Sequence, residues 1–157
     1  MSEEIARLYD AYAAGLYRYA LMLLSDRALA EDAIQQVFSR MLTAASSRID
    51  QPDHYLRRAV RNECYTLLRR RRDEAVDDRP LLEPVDTASV DHDERLAIET
   101  ALRGLPVDQR EVLTLKVYDG LTFKEIAEVT EAPLNTVTSR YRYAIDKMRA
   151  ALEAKVR

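Results

Sequence analysis

Residues 73–94 divide this chain and so limit what either side of them can become. The stretch DEAVDDRPLLEPVDTASVDHDE holds nine acids (Asp73, Glu74, Asp77, Asp78, Glu83, Asp86, Asp91, Asp93, Glu94) against one base, Arg79. It also holds Pro80 and Pro84 and sustains no helical period. Such a segment gathers too little apolar surface to offset the entropy of ordering it. It reads as a flexible acidic linker, with room for a short helical turn near its end. The flanking pieces, 1–72 and 95–157, are each near the lower size limit for an independent fold. The linker's net charge is −8, so the chain's overall −3 leaves +5 for the rest. An acidic total therefore hides two mildly basic units.

Both units read as helices. Of the 157 residues 47% are hydrophobic and 32% charged, with three glycines and five prolines, a balance that favours an all-α fold over a β one. In the first unit, residues 3–24 carry Leu8, Tyr12, Leu16, Tyr19 and Leu23 at helical spacing. SDRALAEDAIQQVFSRMLTAAS follows, with Ala30, Ala33, Ile34, Val37, Phe38, Met41 and Leu42 as one apolar stripe. Pro52 suits the first turn of a third helix, whose stripe is Leu56, Ala59, Val60, Cys64, Leu67 and Leu68. In the second unit, helical stretches at 96–102 and 108–118 are separated by a break at Gly104–Pro106, and a second break follows at Asp119–Gly120. Thr122 and Glu125 match a capping box ahead of a short helix at 123–129. After a turn at 131–134, Asn135 is placed to cap a longer final helix. Glu131 stands in that turn, where a left-handed conformation costs roughly 1–2 kcal/mol.

A short capped helix, a tight turn and a longer helix, in that order, read as a helix-turn-helix. On the last helix Val137, Tyr141, Ala144, Ile145, Met148 and Leu152 form the packing sector. Asn135, Thr136, Ser139 and Tyr143 lie opposite, flanked by Arg140, Arg142 and Lys147. Such a division offers donors to base edges and phosphates from the first turns. Asp146 faces outward and repels phosphate, so only the first two turns are expected in a groove. The third helix of the first unit presents Arg57, Arg58, Arg61, Asn62, Tyr65, Arg69 and Arg70 outside its stripe. Arginines there neutralise phosphates, while Asn62 and Tyr65 offer hydrogen bonding and stacking suited to unpaired bases. A solvated basic face is the alternative.

Other chemistry finds little support. Cys64 is the single cysteine, His54 and His92 lack ligand spacing, and no phosphate-binding glycine loop occurs. No cofactor, metal or catalysis is expected. No apolar run reaches about 18 residues, and MSEEIARLYD lacks the pattern of a signal peptide. A cytoplasmic protein without direct membrane insertion is the expectation.

Three stretches together resemble the extracytoplasmic-function (ECF) sigma factors of bacterial RNA polymerase, in the sigma-70 superfamily. They are AEDAIQQVF, YLRRAVRNECYTLLRRRR, and LPVDQREVLTLKVYDGLTFKEIAEV followed by NTVTSRYRYAIDKMR. The resemblance implies two small helical domains, a region 2-like bundle over 1–72 and a region 4-like helix-turn-helix over 95–157. It implies that Asp32, Gln35, Gln36 and Phe38 dock on core polymerase, though Phe38 also fits the buried stripe. Arg61 and Asn62, with Arg58, Tyr65 and the basic Arg69 beside them, are then expected near the minus-ten element. Thr136, Ser139, Arg140 and Arg142 are expected at the minus-thirty-five element, with the flanking Lys147 also on the DNA side. Core polymerase, promoter DNA and an anti-sigma factor are the partners implied. Tyr55, Thr66, Asn135, Thr138 and Tyr143 depart from frequent family residues; the first two bear on how the minus-ten element melts, and the other three imply a different promoter preference. Two further classes compete: a helix-turn-helix regulator that recruits no polymerase, and a sigma mimic that sequesters an anti-sigma factor.

Overall fold

The computed structural model describes residues 2–43, 49–73 and 92–156, which form seven helices and, among the described residues, no strand. The backbone divides into two units, Met1–Pro80 and Leu81–Arg157. Most of the acidic stretch lies outside the described residues; only its ends are described, and both are helical.

The first unit contains α1 (Ser2–Leu24), α2 (Arg27–Thr43) and α3 (Pro52–Asp73), each packed against the other two. Ser25 ends α1 in a left-handed conformation (φ 55), its N–H bonded to the Leu21 carbonyl at 2.7 Å. Asp26 then caps α2, its Oδ1 accepting the Leu29 N–H at 3.1 Å. A two-residue reversal results, and two helices joined so tightly must pack side by side. Their apolar stripes meet in a core of Leu16, Tyr19, Ala20, Leu23 and Leu24 from α1, and Ala30, Ala33, Ile34, Val37, Phe38 and Met41 from α2. Leu56, Val60 and Cys64 of α3 complete it. Leu42, expected in the α2 stripe, is instead exposed. At about 100° per residue it falls past Phe38 at the stripe's edge. At the far end of α3, Arg71 Nη1 donates to the Leu24 carbonyl at 3.0 Å. One member of the arginine run thus satisfies the C-terminus of α1, where a cation is also favoured by the helix dipole.

The second unit contains α4 (His92–Arg103), α5 (Val107–Val117), α6 (Phe123–Thr130) and α7 (Leu134–Val156). α4 begins four residues before the expected start at Leu96. Apolar periodicity is blind to a polar first turn, and Asp93 and Glu94 there are favoured by the helix dipole. Gly120, at φ 66, turns the chain after α5 so that the Leu121 N–H reaches the Leu115 carbonyl at 3.1 Å. The Thr122–Glu125 capping box forms as the sequence indicates, with both bonds at 3.1 Å. Leu102, Leu105, Val112, Leu113, Leu115, Leu121, Ile126, Val129, Val137 and Ala144 make the core.

Two features of the turn before α7 stand out. Glu131 closes α6 in the left-handed region (φ 53, ψ 38), with its N–H bonded to the Ala127 carbonyl. Asn135 is not the cap of α7 but its second residue. The Pro133 carbonyl accepts the Val137 N–H at 3.1 Å, so proline, with its fixed φ and no N–H to place, supplies the helix entry. Replacing Glu131 with glycine removes the Cβ penalty of the left-handed conformation. Glu131→Gly is expected to stabilise the second unit by about 1 kcal/mol, read from thermal unfolding by circular dichroism; a lower melting temperature would contradict it.

Candidate nucleic-acid interface

Each unit offers one polar helical face set against an apolar one. On α3 the buried Leu56, Val60 and Cys64 fix the roll of the helix, which turns Arg58, Asn62, Arg69 and Arg70 to the exposed side. The Arg61 guanidinium lies over the Tyr65 ring, 4.4 Å from its centroid. A cation held against an aromatic face favours one mutual orientation of these two half-buried groups. Thr66 Oγ1 donates to the Asn62 carbonyl at 2.9 Å and accepts from Arg69 Nη2 at 3.2 Å. Arg61, Asn62, Tyr65 and Arg69 therefore sit together on one helix face.

Two open grooves run between α2 and α3. One, of about 1000 Å³, is lined by Val37, Arg40, His54, Tyr55, Arg58, Ala59 and Asn62 among others. Its mixture of exposed ring, cation and amide suits a flat polar group. The other, of about 630 Å³, is lined by Asp32, Gln35, Gln36 and Ser39 of α2 and by Asn62, Glu63, Thr66 and Arg70 of α3. Asp32, Gln35 and Gln36 are exposed along that groove, whereas Phe38 is buried, edge-to-face with Tyr9 at 5.1 Å. The four residues expected to dock on polymerase thus separate into three surface groups and one core group.

Arg40 lines both grooves, a place that the apolar spacing of α2 does not reveal. Its Nη1 pairs with Glu63 Oε2 at 3.0 Å; the Glu63 side chain is only 7% exposed, the arginine 66%. A signal was present. Glu63 lies between Val60 and Cys64, three residues after one and one before the other, on the side of α3 that must be buried. A carboxylate there requires a partner from the neighbouring helix.

On α7, Val137 and Ala144 are fully buried. Phe123 of α6 meets Tyr141 edge-to-face at 5.2 Å, and Lys116 of α5 caps the same Phe123 ring at 4.5 Å. Three helices are tied together through one aromatic pair. Ser139 and Tyr143 then face outward, with Thr136 beside them and Arg142 on one flank. Arg140, on the other flank, is half-buried, and its Nε contacts Asp108 Oδ2 of α5 at 3.3 Å. Lys147 stands apart. It is about 16 Å along the axis from Thr136 and lines a small groove with Ala97, Thr100 and Ala101 of α4.

Among the described residues no helix is long and apolar enough to cross a membrane.

The two units match separate family models, sigma-70 region 2 over residues 8–74 and sigma-70 region 4 over residues 95–148. A fold of this class is a two-region sigma-70 protein. Among similar curated proteins is the ECF RNA polymerase sigma factor SigK of Mycolicibacterium vanbaalenii, 30% identical over 96% of this chain and 83% of that protein. SigK of Mycobacterium tuberculosis is 28% identical over 94% of this chain and 85% of its own length. The chain belongs to the ECF sigma factors of bacterial RNA polymerase. It is an RNA polymerase sigma factor, which binds core polymerase and directs promoter-specific initiation. Members of the family are initiation factors, not enzymes. Among solved structures, the sigma factor RpoE from Bartonella quintana, in complex with the anti-sigma factor NepR, shares the fold. Its TM-score is 0.71 at 23% identity, covering 97% of this chain and 96% of that one. CnrH, in complex with the cytosolic domain of CnrY, gives 0.69 at 21% identity over 98% and 90%.

Arg40→Ala leaves the Glu63 carboxylate without that partner and is expected to lower the stability of the first unit by about 1–3 kcal/mol. Chemical denaturation followed by circular dichroism checks this; an unchanged midpoint would remove the pair from the fold's supports.

Proposed function

We propose that the two polar faces divide promoter recognition between them, residues 1–72 acting at the minus-ten element and on core polymerase, and residues 95–157 at the minus-thirty-five element. In this reading Arg58, Arg61, Asn62, Tyr65 and Arg69 hold the strand that separates as the duplex opens. What supports it is the Arg61–Tyr65 pair beside Asn62: cation, ring and amide on one face, the combination that binds an unstacked strand. The open groove edged by Tyr55, Arg58 and Asn62 offers a ring, a cation and an amide to a base turned out of the stack. Asp32, Gln35 and Gln36 take the polymerase contact, and buried Phe38 shapes α2 beneath them.

Thr136, Ser139, Arg140 and Arg142 enter the major groove from the first turns of α7. Lys147, farther along the helix, contributes to the DNA side by charge, to a phosphate and not a base edge. The polymerase forms the bonds; this chain contributes selection and no catalytic step. It acts in the cytoplasm, where polymerase and promoter are. The residues between the units join two recognition surfaces, and as an acidic segment they are repelled by DNA. An anti-sigma factor is proposed as a further partner, in keeping with the RpoE–NepR and CnrH–CnrY complexes.

Reconstitution with bacterial core polymerase on a promoter library tests the division. Arg140→Ala is expected to relax selectivity at a base pair of the upstream element by roughly 1–3 kcal/mol and to leave downstream preference intact. Tyr65→Ala is expected to slow opening at every promoter while the upstream preference stays. If Arg140→Ala leaves upstream selectivity unchanged, or Tyr65→Ala alters the upstream preference instead of opening, the division is wrong.

A further inference from the structure

Arg140, at the start of α7, is engaged from the side by another helix of its unit. Its partner, Asp108, belongs to the first turn of α5, and both carboxylate oxygens are committed. Oδ1 accepts the Gln109 N–H at 2.9 Å, and Oδ2 meets Arg140 Nε at 3.3 Å. The first bond pins the carboxylate to its own backbone, so it is not a loose surface charge that follows the arginine. The second uses the guanidinium nitrogen nearest the stem. An ion-pair contact at Nε restricts how the guanidinium turns about its long axis and leaves Nη1 and Nη2 to meet another partner. Those two nitrogens are the fork that matches guanine O6 and N7.

Proximity to DNA makes the acid costly as well as useful. A carboxylate on this side of the unit repels phosphate, and the Arg140 charge offsets it only in part. With side-chain exposures of 28% for the arginine and 45% for the aspartate, the pair contributes little to stability as a surface ion pair. Its consequence is orientational. An unrestrained arginine samples many rotamers and reaches phosphates as readily as bases, whereas a restrained one gives up entropy before binding and presents one geometry.

We propose that Asp108 is a positioning residue for promoter recognition: it holds Arg140 by Nε so that the terminal nitrogens meet a base edge, and so sets selectivity without touching DNA. The proposal rests on the assignment of Arg140 to the upstream element. Intramolecular competition, in which Asp108 merely withholds Arg140 from DNA, is the opposite outcome.

The test uses the full chain bound to core polymerase on promoters randomised at the upstream element, with wild type, Asp108→Ala, Asp108→Asn, Arg140→Ala and Asp108→Ala/Arg140→Ala. Thermal unfolding of each variant first establishes that it is folded; Asp108→Asn, the nearly isosteric change, serves if the alanine variant is not. Removing an acid raises affinity for all sequences alike, so the ratio of preferred to disfavoured base is read, not affinity. Asp108→Ala is expected to lower that ratio about fivefold or more, at the same base pair that Arg140→Ala affects, the lower range of what a bidentate contact supplies. Asp108→Asn, which keeps a neutral acceptor for Nε, is expected to retain part of the ratio. The double variant is expected to match Arg140→Ala alone, because the aspartate acts only through the arginine. If Arg140→Ala relaxes selectivity but Asp108→Ala keeps the wild-type ratio or sharpens it, the positioning role is overturned and the Arg140 assignment stands. If neither variant changes the ratio, the Arg140 assignment itself falls, and the proposal with it.

Discussion

The roll of α7 about its own axis governs what the second unit can read. Val137 and Ala144 are seven residues apart, almost two turns, and both are completely buried. Two fixed points along one side leave a helix no rotational freedom, so the direction of Ser139, Arg140 and Tyr143 follows from packing and not from those residues themselves. The Phe123–Tyr141 contact, with Lys116 over Phe123, carries the same constraint into α5 and α6. Changes in the core should therefore alter recognition by turning the reading face, even where no DNA-facing residue is touched.

A parallel constraint acts in the first unit, with different chemistry. There the roll of α3 is set by Leu56, Val60 and Cys64, and its middle and C-terminal end are held by polar contacts to the other helices. Glu63 anchors the middle through Arg40 of α2, and Arg71 caps α1. A helix so rich in arginine would be poorly held by apolar area alone. Its charged groups do two jobs: some face outward, and some bind the bundle together. The run at 69–72 is thus not uniform, since Arg69 bonds to Thr66 on its own helix while Arg71 reaches a backbone carbonyl.

Much of this organisation was legible in the sequence. Apolar spacing marked the helices, the capping box fixed the start of α6, and three local motifs in the right order carried the family. The differences lie at helix starts and at the edge of an apolar stripe. An acidic first turn hides the start of α4 from apolar periodicity, and the sequence points to Asn135 for the α7 entry because a proline carbonyl leaves no side-chain signature. Leu42 continues the apolar spacing of α2 yet is exposed, because the stripe drifts at its edge. Pairings across helices, Arg40 with Glu63 and Arg140 with Asp108, join residues 23 and 32 positions apart. Spacing within one helix carries no information about them.

Contact mapping in the initiation complex tests the division of labour most directly. A photo-crosslinking side chain at Asn62 and another at Ser139 would be introduced separately into the full chain, bound to core polymerase and a promoter. The expected result is a crosslink from position 62 to the strand exposed at the minus-ten element, and one from position 139 to the duplex at the minus-thirty-five element. Crosslinks from both positions to the same element, or an exchange of the two, would contradict it.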